Sequence, residues 1–150
     1  FNATDEKTAK RVVEHRRDLK RKKELSASSR LSLENIMERI HEGDTYARKI
    51  LLSLQSTGRI VQFGLMRIHL QYCDEEVRRE IVAGQTPLGR ILINHDVLRR
   101  IEPTAYLRIL PGPAMMEWFA LKTPQPVYGR LAIIHCNDQP AVELLEIVAP

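Results

Sequence analysis

The stretch Gly84-Gln85-Thr86-Pro87-Leu88-Gly89-Arg90-Ile91-Leu92 lies near the middle of the sequence, with predicted strands on both sides of it. Pro87 fixes its own φ and pushes Thr86 toward an extended backbone. Gly84 and Gly89 bracket a short segment in which the backbone can bend sharply or approach a small molecule closely. The stretch is therefore predicted to be a structured turn, and these residues alone leave open whether it also contacts a ligand.

Short helices are predicted on either side of this turn. Asp74–Val82 precedes it and has an acidic first turn, which suits the helix dipole. The apolar run Ile91–Leu98 follows it and is predicted to be a second short helix. The turn thus joins two helices inserted between two groups of strands.

Strands that pair as hairpins make up most of the remaining sequence. Loops typical of hairpins occur at Gln55–Gly58 and Asn137–Pro140. The predicted strands are Tyr46–Leu54, Arg59–Gln71, Ala105–Leu110, Val127–Cys136 and Ala141–Ala149. Successive hairpins with helices between them predict an α+β protein, with an antiparallel sheet of about six strands and helices covering one face.

The pattern leaves the type of one segment open, residues 31–40. Leu33, Ile36 and Ile40 fall at helical spacing, whereas Leu31 and Leu33 also permit the start of a strand. Periodicity alone favours a helix here.

The composition is that of one globular domain spanning residues 1–150, with 43% hydrophobic and 28% charged residues. Much of the net charge of +4 comes from Lys10–Lys23, inside a predicted helix that a Ser-rich connector follows before residue 30. A basic helix can bind nucleic acid by neutralising phosphates, but no aromatic residues interleave this one and no DNA-binding motif is present. We interpret it as a solvated helix face and expect no nucleic-acid partner.

Several other classes of protein are excluded by missing signals. No apolar run approaches the ~18 residues that span a bilayer, and no signal peptide opens the sequence, so we expect a cytoplasmic protein without a membrane partner. Cys73 and Cys136 lack CxxC or Cys/His metal spacing and are expected to be free thiols. The sequence also lacks HxH, HExxH, GxSxG, GxxxxGK[ST] and GxGxxG patterns, so neither a metal nor another cofactor is expected.

Charged residues within apolar strands are the candidates for a functional site. They are Arg48, Arg67, Arg130, Glu143 and Glu146. A buried charge costs several kcal/mol unless it is paired, so such a residue needs a partner or a ligand. The alternatives are an internal Arg–Glu ion pair or a solvent-facing position on an alternating strand.

Three blocks of the sequence resemble the chorismate lyase family in the family's order. The opening stretch resembles the turn and helix of these enzymes, Arg48-Lys49-Ile50-Leu51-Leu52 resembles their central strand, and Gln139-Pro140-Ala141-Val142-Glu143-Leu144-Leu145-Glu146 resembles their terminal strand. The resemblance covers residues 40–150, and residues 1–30 match poorly. It also implies that residues 31–40 form a strand rather than a helix.

The resemblance implies an enzyme that eliminates pyruvate from chorismate to give 4-hydroxybenzoate, without cofactor or metal. Arg48 is then expected to bind the ring carboxylate as a bidentate pair. The backbone N–H of Leu88 is expected to donate to an oxygen of the substrate, and Gly89 lets the backbone approach it.

The remaining implied roles concern the second half of the reaction. Glu146, with a pKa raised by apolar neighbours, is the expected general acid at the ether oxygen or the enolpyruvyl group. Arg67 and Arg130 are candidates for the second carboxylate or the pyruvyl group. The pocket is expected to be internal and covered by helices, in a monomer or a homodimer.

Two alternatives remain open. The same fold resembles the UTRA domain of bacterial transcription regulators, a small-molecule sensor of aromatic acids without catalysis. A sensor needs an anion-binding arginine but no general acid, so Glu146 favours the enzyme. The other alternative is a member of the fold with a degenerate pocket.

Overall fold

The computed structural model describes residues 32–150. The chain forms six strands, three helices and one 3-10 turn, at Leu70–Tyr72. The strands are β1 (Ser32–Glu42), β2 (Thr45–Leu54), β3 (Ile60–His69), β4 (Arg99–Ile109), β5 (Val127–Cys136) and β6 (Gln139–Val148). The helices are α1 (Glu75–Ala83), α2 (Leu88–Asn94) and α3 (Pro113–Trp118). The predicted basic helix and Ser-rich connector lie outside the described residues.

All six strands belong to one antiparallel sheet, in the order β1-β2-β3-β6-β5-β4. The chain runs through β1, β2 and β3 by hairpins, crosses over through α1 and α2 to the far edge, and returns through β4, β5 and β6. The last strand pairs with β3, so β3 and β6 lie at the centre. The predicted α+β class with a six-stranded antiparallel sheet is confirmed.

Alternation along the strands separates two hydrophobic clusters, one on each face of the sheet. The first packs against α1 and α2 and includes Tyr46, Ile50, Met66, Ile68, Ile81, Ile91, Val142 and Leu144. The second packs against α3 and includes Leu51, Phe63, Leu107, Phe119, Leu145 and Ile147. Two helices therefore cover one face, as predicted, and the short α3, which the sequence did not predict, adds to the other.

The turn quoted at the start ends α1 and begins α2. Gly84 has a φ of 68° and caps α1, its N–H donating to the carbonyls of Glu80 and Ile81. Pro87 caps the start of α2, and its carbonyl accepts from the N–H of Arg90 and Ile91. The second helix thus begins earlier than the predicted Ile91–Leu98, and it ends at Asn94. In residues 32–150 no helix is long and apolar enough to cross a membrane.

Residues 32–42 form a strand, so the helix favoured by periodicity is wrong and the strand implied by the resemblance is right. The cause is a bulge in β1, where the pairing with β2 shifts register between Ile36 and Glu38. Before and after the bulge, Leu33 and Ile40 are exposed, whereas Ile36 packs against the core. The bulge breaks the period of two and produces a spacing that resembles a helix.

Candidate ligand-binding site

A cavity of about 480 Å³ lies between α2 and the face of the sheet that α1 and α2 cover. This volume falls within the range of small-molecule sites, which extends from about 300 to 1,000 Å³. Much of the lining is apolar and comes from strands β2, β3, β5 and β6 and from α2, with Ile50, Met66, Leu92, Ile134 and Leu144 among its members. The polar lining residues include Glu34, Gln62, Arg90, Arg99 and Glu146.

Arg48 is the most deeply buried charged residue at this site, with 1% of its surface exposed. It lies on β2 between Tyr46 and Ile50, two core residues on the same face, and its guanidinium carbon is 6.0 Å from the centre of the Tyr46 ring. Its Nη2 atom is 2.9 Å from Oε1 of Glu34. This contact lacks hydrogen-bond geometry, and within residues 32–150 none of the three guanidinium nitrogens has a hydrogen-bond acceptor.

Glu34 provides the counter-charge to Arg48 from the edge strand β1. Its side chain is only 7% exposed, and its carboxyl also accepts a hydrogen bond from the backbone N–H of Leu88, the first residue of α2. Burial raises the pKa of Glu34, while the Arg48 guanidinium and the Leu88 N–H act in the opposite direction. Glu34 lines the cavity and Arg48 does not. The carboxylate therefore lies between the guanidinium and the open space.

A second Arg–Glu pair lies on the central strands of the same face. Nε of Arg130 donates to Oε2 of Glu146 at 2.8 Å, and Nε2 of Gln62 donates to Oε1 of Glu146 at 3.2 Å. Both charged side chains are 12% exposed, and Nη2 of Arg130 has no hydrogen-bond partner in the described part of the chain. A carboxyl group held by a guanidinium and an amide is kept as the carboxylate.

A glycine lets the strands that carry this pair approach closely. A Cβ atom on Gly129 would lie 2.4 Å from the carbonyl oxygen of Glu146. Because real Cβ atoms do not approach a backbone oxygen this closely, any other residue at 129 would push β5 away from β6. Gly129 thus sets the geometry of the Arg130–Glu146 pair.

Leu88 and Gly89, both predicted from the turn, line the cavity from the first turn of α2. The Leu88 N–H points to Glu34, as described above, and the Leu88 side chain is buried in the core. A Cβ atom on Gly89 would meet no atom within 4 Å. Gly89 is therefore not required by the packing of the protein itself, and its missing side chain leaves space at the cavity.

The structure does not bring Arg67 to this cavity. Its side chain is 60% exposed on the opposite face, where Nη1 lies 3.6 Å from Oε2 of Glu143. Met66 and Ile68, on either side of it in β3, are buried under α1 and α2. Alternation along the strand therefore turns Arg67 away from the site.

Sequence reasoning missed Glu34 and Gln62. Glu34 lies in the segment whose secondary structure was ambiguous, and Gln62 is an uncharged residue in an alternating strand, so neither had a distinctive signal. The alternatives of an internal ion pair and a solvent-facing position are both realised, the first by Arg48 and Arg130 and the second by Arg67.

Neither cysteine is placed to act as a nucleophile. Both are free, and burial raises the pKa of Cys73 to about 11 and also raises the pKa of Cys136. In the described part of the chain, no group of three or more His, Cys, Asp or Glu side chains could hold a metal ion.

Comparisons with known proteins identify the class of this fold. No protein-family model and no curated protein matches the sequence. The chain is similar in structure to the ligand-binding domain of a protein described as a GntR-family transcriptional regulator from Bordetella bronchiseptica, with a TM-score of 0.56 and 12% identity, covering 78% of this chain and 85% of that one. It is also similar to YydK from Bacillus subtilis, described as a transcriptional regulator, with a TM-score of 0.55 and 11% identity, covering 78% of this chain and 58% of YydK.

These similarities show a shared fold, the UTRA/chorismate lyase-like fold that the sequence resemblance implied. Both matched structures are described as regulators or their ligand-binding domains and not as chorismate lyases. The comparisons therefore agree with the non-catalytic alternative better than with the enzyme.

Proposed function

We propose that this chain is a non-catalytic ligand-binding domain that takes a small organic acid, of the hydroxybenzoate class, into the cavity beneath α2. The observation that carries the proposal is Arg48, a fully buried guanidinium whose N–H groups lack acceptors, next to a cavity of small-molecule size. A buried arginine in this state is completed by a planar, bidentate anion such as a carboxylate.

The rest of the cavity suits an aromatic ring. Ile50, Met66 and Leu144 form an apolar floor on the sheet, and α2 covers it. An acid bound through its carboxylate near Arg48 would place its ring against these side chains. Gln62 and Glu146, which also line the cavity, could accept or donate a hydrogen bond to a ring hydroxyl.

The state of Glu146 argues against a lyase. Elimination of pyruvate from chorismate needs a proton donor at the ether or enolpyruvyl group. Glu146 instead accepts from Nε of Arg130 at 2.8 Å and from Gln62 at 3.2 Å, which stabilises its charged form. A sensor needs only the anion site.

The test is calorimetric titration of the protein with 4-hydroxybenzoate and with 4-hydroxybenzamide, which has the same ring but no charge. We expect the acid to bind and the amide to bind at least tenfold more weakly, since a hydrogen-bonded charge contributes about 1.5–3 kcal/mol. Arg48→Met should abolish the preference for the acid. Arg67→Met, which removes an arginine from the opposite face, is the matched control and should leave binding unchanged.

Incubation with chorismate separates the remaining alternatives. We expect no formation of 4-hydroxybenzoate above the spontaneous rate. Turnover that depends on Glu146 would show that the chain is a lyase and overturn the proposal. Failure of every benzoate-type acid to bind would support a degenerate pocket instead.

A further inference from the structure

We infer that the Glu34 carboxylate occupies the anion site in the ligand-free protein, and that an acid binds by displacing it. The inference rests on the proposed function, because it concerns how the same cavity selects and admits its ligand. It makes Glu34 an internal competitor rather than a contact of the bound acid.

The first argument is one of position. The two groups best placed to bind a carboxylate here are the Arg48 guanidinium and the Leu88 N–H at the start of α2. Glu34 contacts both, with Oε1 2.9 Å from Nη2 of Arg48 and its carboxyl accepting from the Leu88 N–H. Glu34 also faces the cavity, while Arg48 lies behind it. An acid can reach Arg48 only if Glu34 leaves.

The second argument is that Glu34 satisfies the site poorly. Its contact with Arg48 lacks hydrogen-bond geometry, and Oε1 of Glu34 and Nε, Nη1 and Nη2 of Arg48 are all buried without a hydrogen-bond partner in the described residues. Unsatisfied buried polar groups of this kind cost about 1–3 kcal/mol each. A free carboxylate can orient itself to accept two N–H groups of the guanidinium, whereas Glu34 is tethered to β1.

The third argument is that Glu34 can move. It lies on β1, which pairs only with β2 because it is the edge of the sheet. The register between β1 and β2 shifts two residues further on, between Ile36 and Glu38, so the start of the strand is not locked to the rest by a continuous ladder. Its neighbours Leu33 and Asn35 are exposed. Displacement of Glu34 therefore needs no rearrangement of the central strands.

The experiment measures the affinity of 4-hydroxybenzoate for the wild-type protein and for Glu34→Ala, Glu34→Asp and Glu38→Ala. If the occupied state is favoured about nine to one, removing the competitor strengthens apparent binding by about tenfold. Glu38→Ala is the control, because Glu38 is exposed on the same strand and pairs only with Lys49 at the surface, at 3.1 Å. It should leave the affinity unchanged.

Glu34→Asp distinguishes competition for a position from general charge repulsion. Aspartate keeps the charge but is one methylene too short to hold the same contact with Arg48. Competition predicts that Asp strengthens binding as Ala does, whereas repulsion predicts that Asp behaves like the wild type. Glu34→Asp also carries the test should Glu34→Ala fail to fold.

Hydrogen exchange supplies a readout that a purely structural role of Glu34 would not change. In the wild type, the acid should increase exchange at the start of β1, and in Glu34→Asp exchange there should already be raised without ligand. If the wild type binds the acid but the Glu34 variants bind no better, the inference is overturned and the proposed function stands. If neither the wild type nor the variants bind, the proposed function fails and the inference with it.

Discussion

Replacing Arg48 by methionine tests the electrostatics of the site most directly. The substitution keeps an apolar chain of similar length among Tyr46 and Ile50 but leaves the Glu34 carboxylate, only 7% exposed, without its cation. Removing one partner of a buried ion pair costs about 3–5 kcal/mol. For a chain of this size each kcal/mol lowers the melting temperature by about 2–4 °C, so we expect a fall of roughly 10 °C.

The double variant Arg48→Met/Glu34→Gln should recover most of this loss. It removes both charges together, and the glutamine carbonyl can still accept from the Leu88 N–H. Replacement of a complete buried ion pair by neutral side chains is often neutral or stabilising. The double variant should nevertheless bind 4-hydroxybenzoate no better than Arg48→Met, because the guanidinium that recognises the acid is absent from both.

The measurement is urea unfolding followed by circular dichroism for the wild type, both single variants and the double variant. The four free energies give the coupling between the two side chains, provided that the dependence on denaturant stays constant. Two results would refute the reasoning. Arg48→Met within about 1 kcal/mol of wild type would mean that Glu34 is solvated, and a double variant as unstable as the single one would mean that the loss comes from packing.

Two further predictions concern the glycines and a cysteine. Gly129→Ala should destabilise the protein by about 1–3 kcal/mol, because its Cβ would lie 2.4 Å from the Glu146 carbonyl oxygen. Gly89→Ala, with open space at the same position in α2, should stabilise it by about 0.5–1 kcal/mol in thermal melts while weakening acid binding; equal effects at the two glycines would contradict the close approach of β5 and β6. The Cys73 pKa, raised from 9.0 to about 11, should slow iodoacetamide alkylation at pH 8 by about 100-fold relative to the urea-unfolded chain, as measured by mass spectrometry in a Cys136→Ser background. Because the folded pKa is the higher one, the associated stability is present below about pH 9 and is lost as the pH rises through about 11, and alkylation at the unfolded rate would show that Cys73 is solvated.

The sequence predicted the parts of the fold that depend on local patterns. The hairpins around Gln55–Gly58 and Asn137–Pro140 and the helices on either side of Pro87 follow from turn residues and from periodicities of two and 3.6. The type of β1 did not follow, because its bulge changes which face each residue occupies. The start of β4 was also missed, since Pro103 suggested an interruption, whereas the strand continues through a register shift between Pro103 and Ala105.

The site was predictable only in part, for a related reason. Alternation identified charged residues on apolar strands, but a site also depends on which strands become neighbours. The contact between Glu34 and Arg48 crosses from β1 to β2, and the contact between Arg130 and Glu146 crosses from β5 to β6. Arg67 could have been set aside from the sequence, because Met66 and Ile68 on either side of it must face the core.

The stacking of Trp118 on Phe63 gives the protein an internal optical probe. The two rings are nearly parallel, at 9°, with centroids 5.4 Å apart, on the face of the sheet opposite the cavity. Trp118 is the only tryptophan in the sequence, so the intrinsic fluorescence excited at its absorption edge reports on a single environment. Emission should shift when the sheet and α3 separate, and should remain constant when a ligand enters beneath α2. Folding and binding can thus be followed in the same sample without a label.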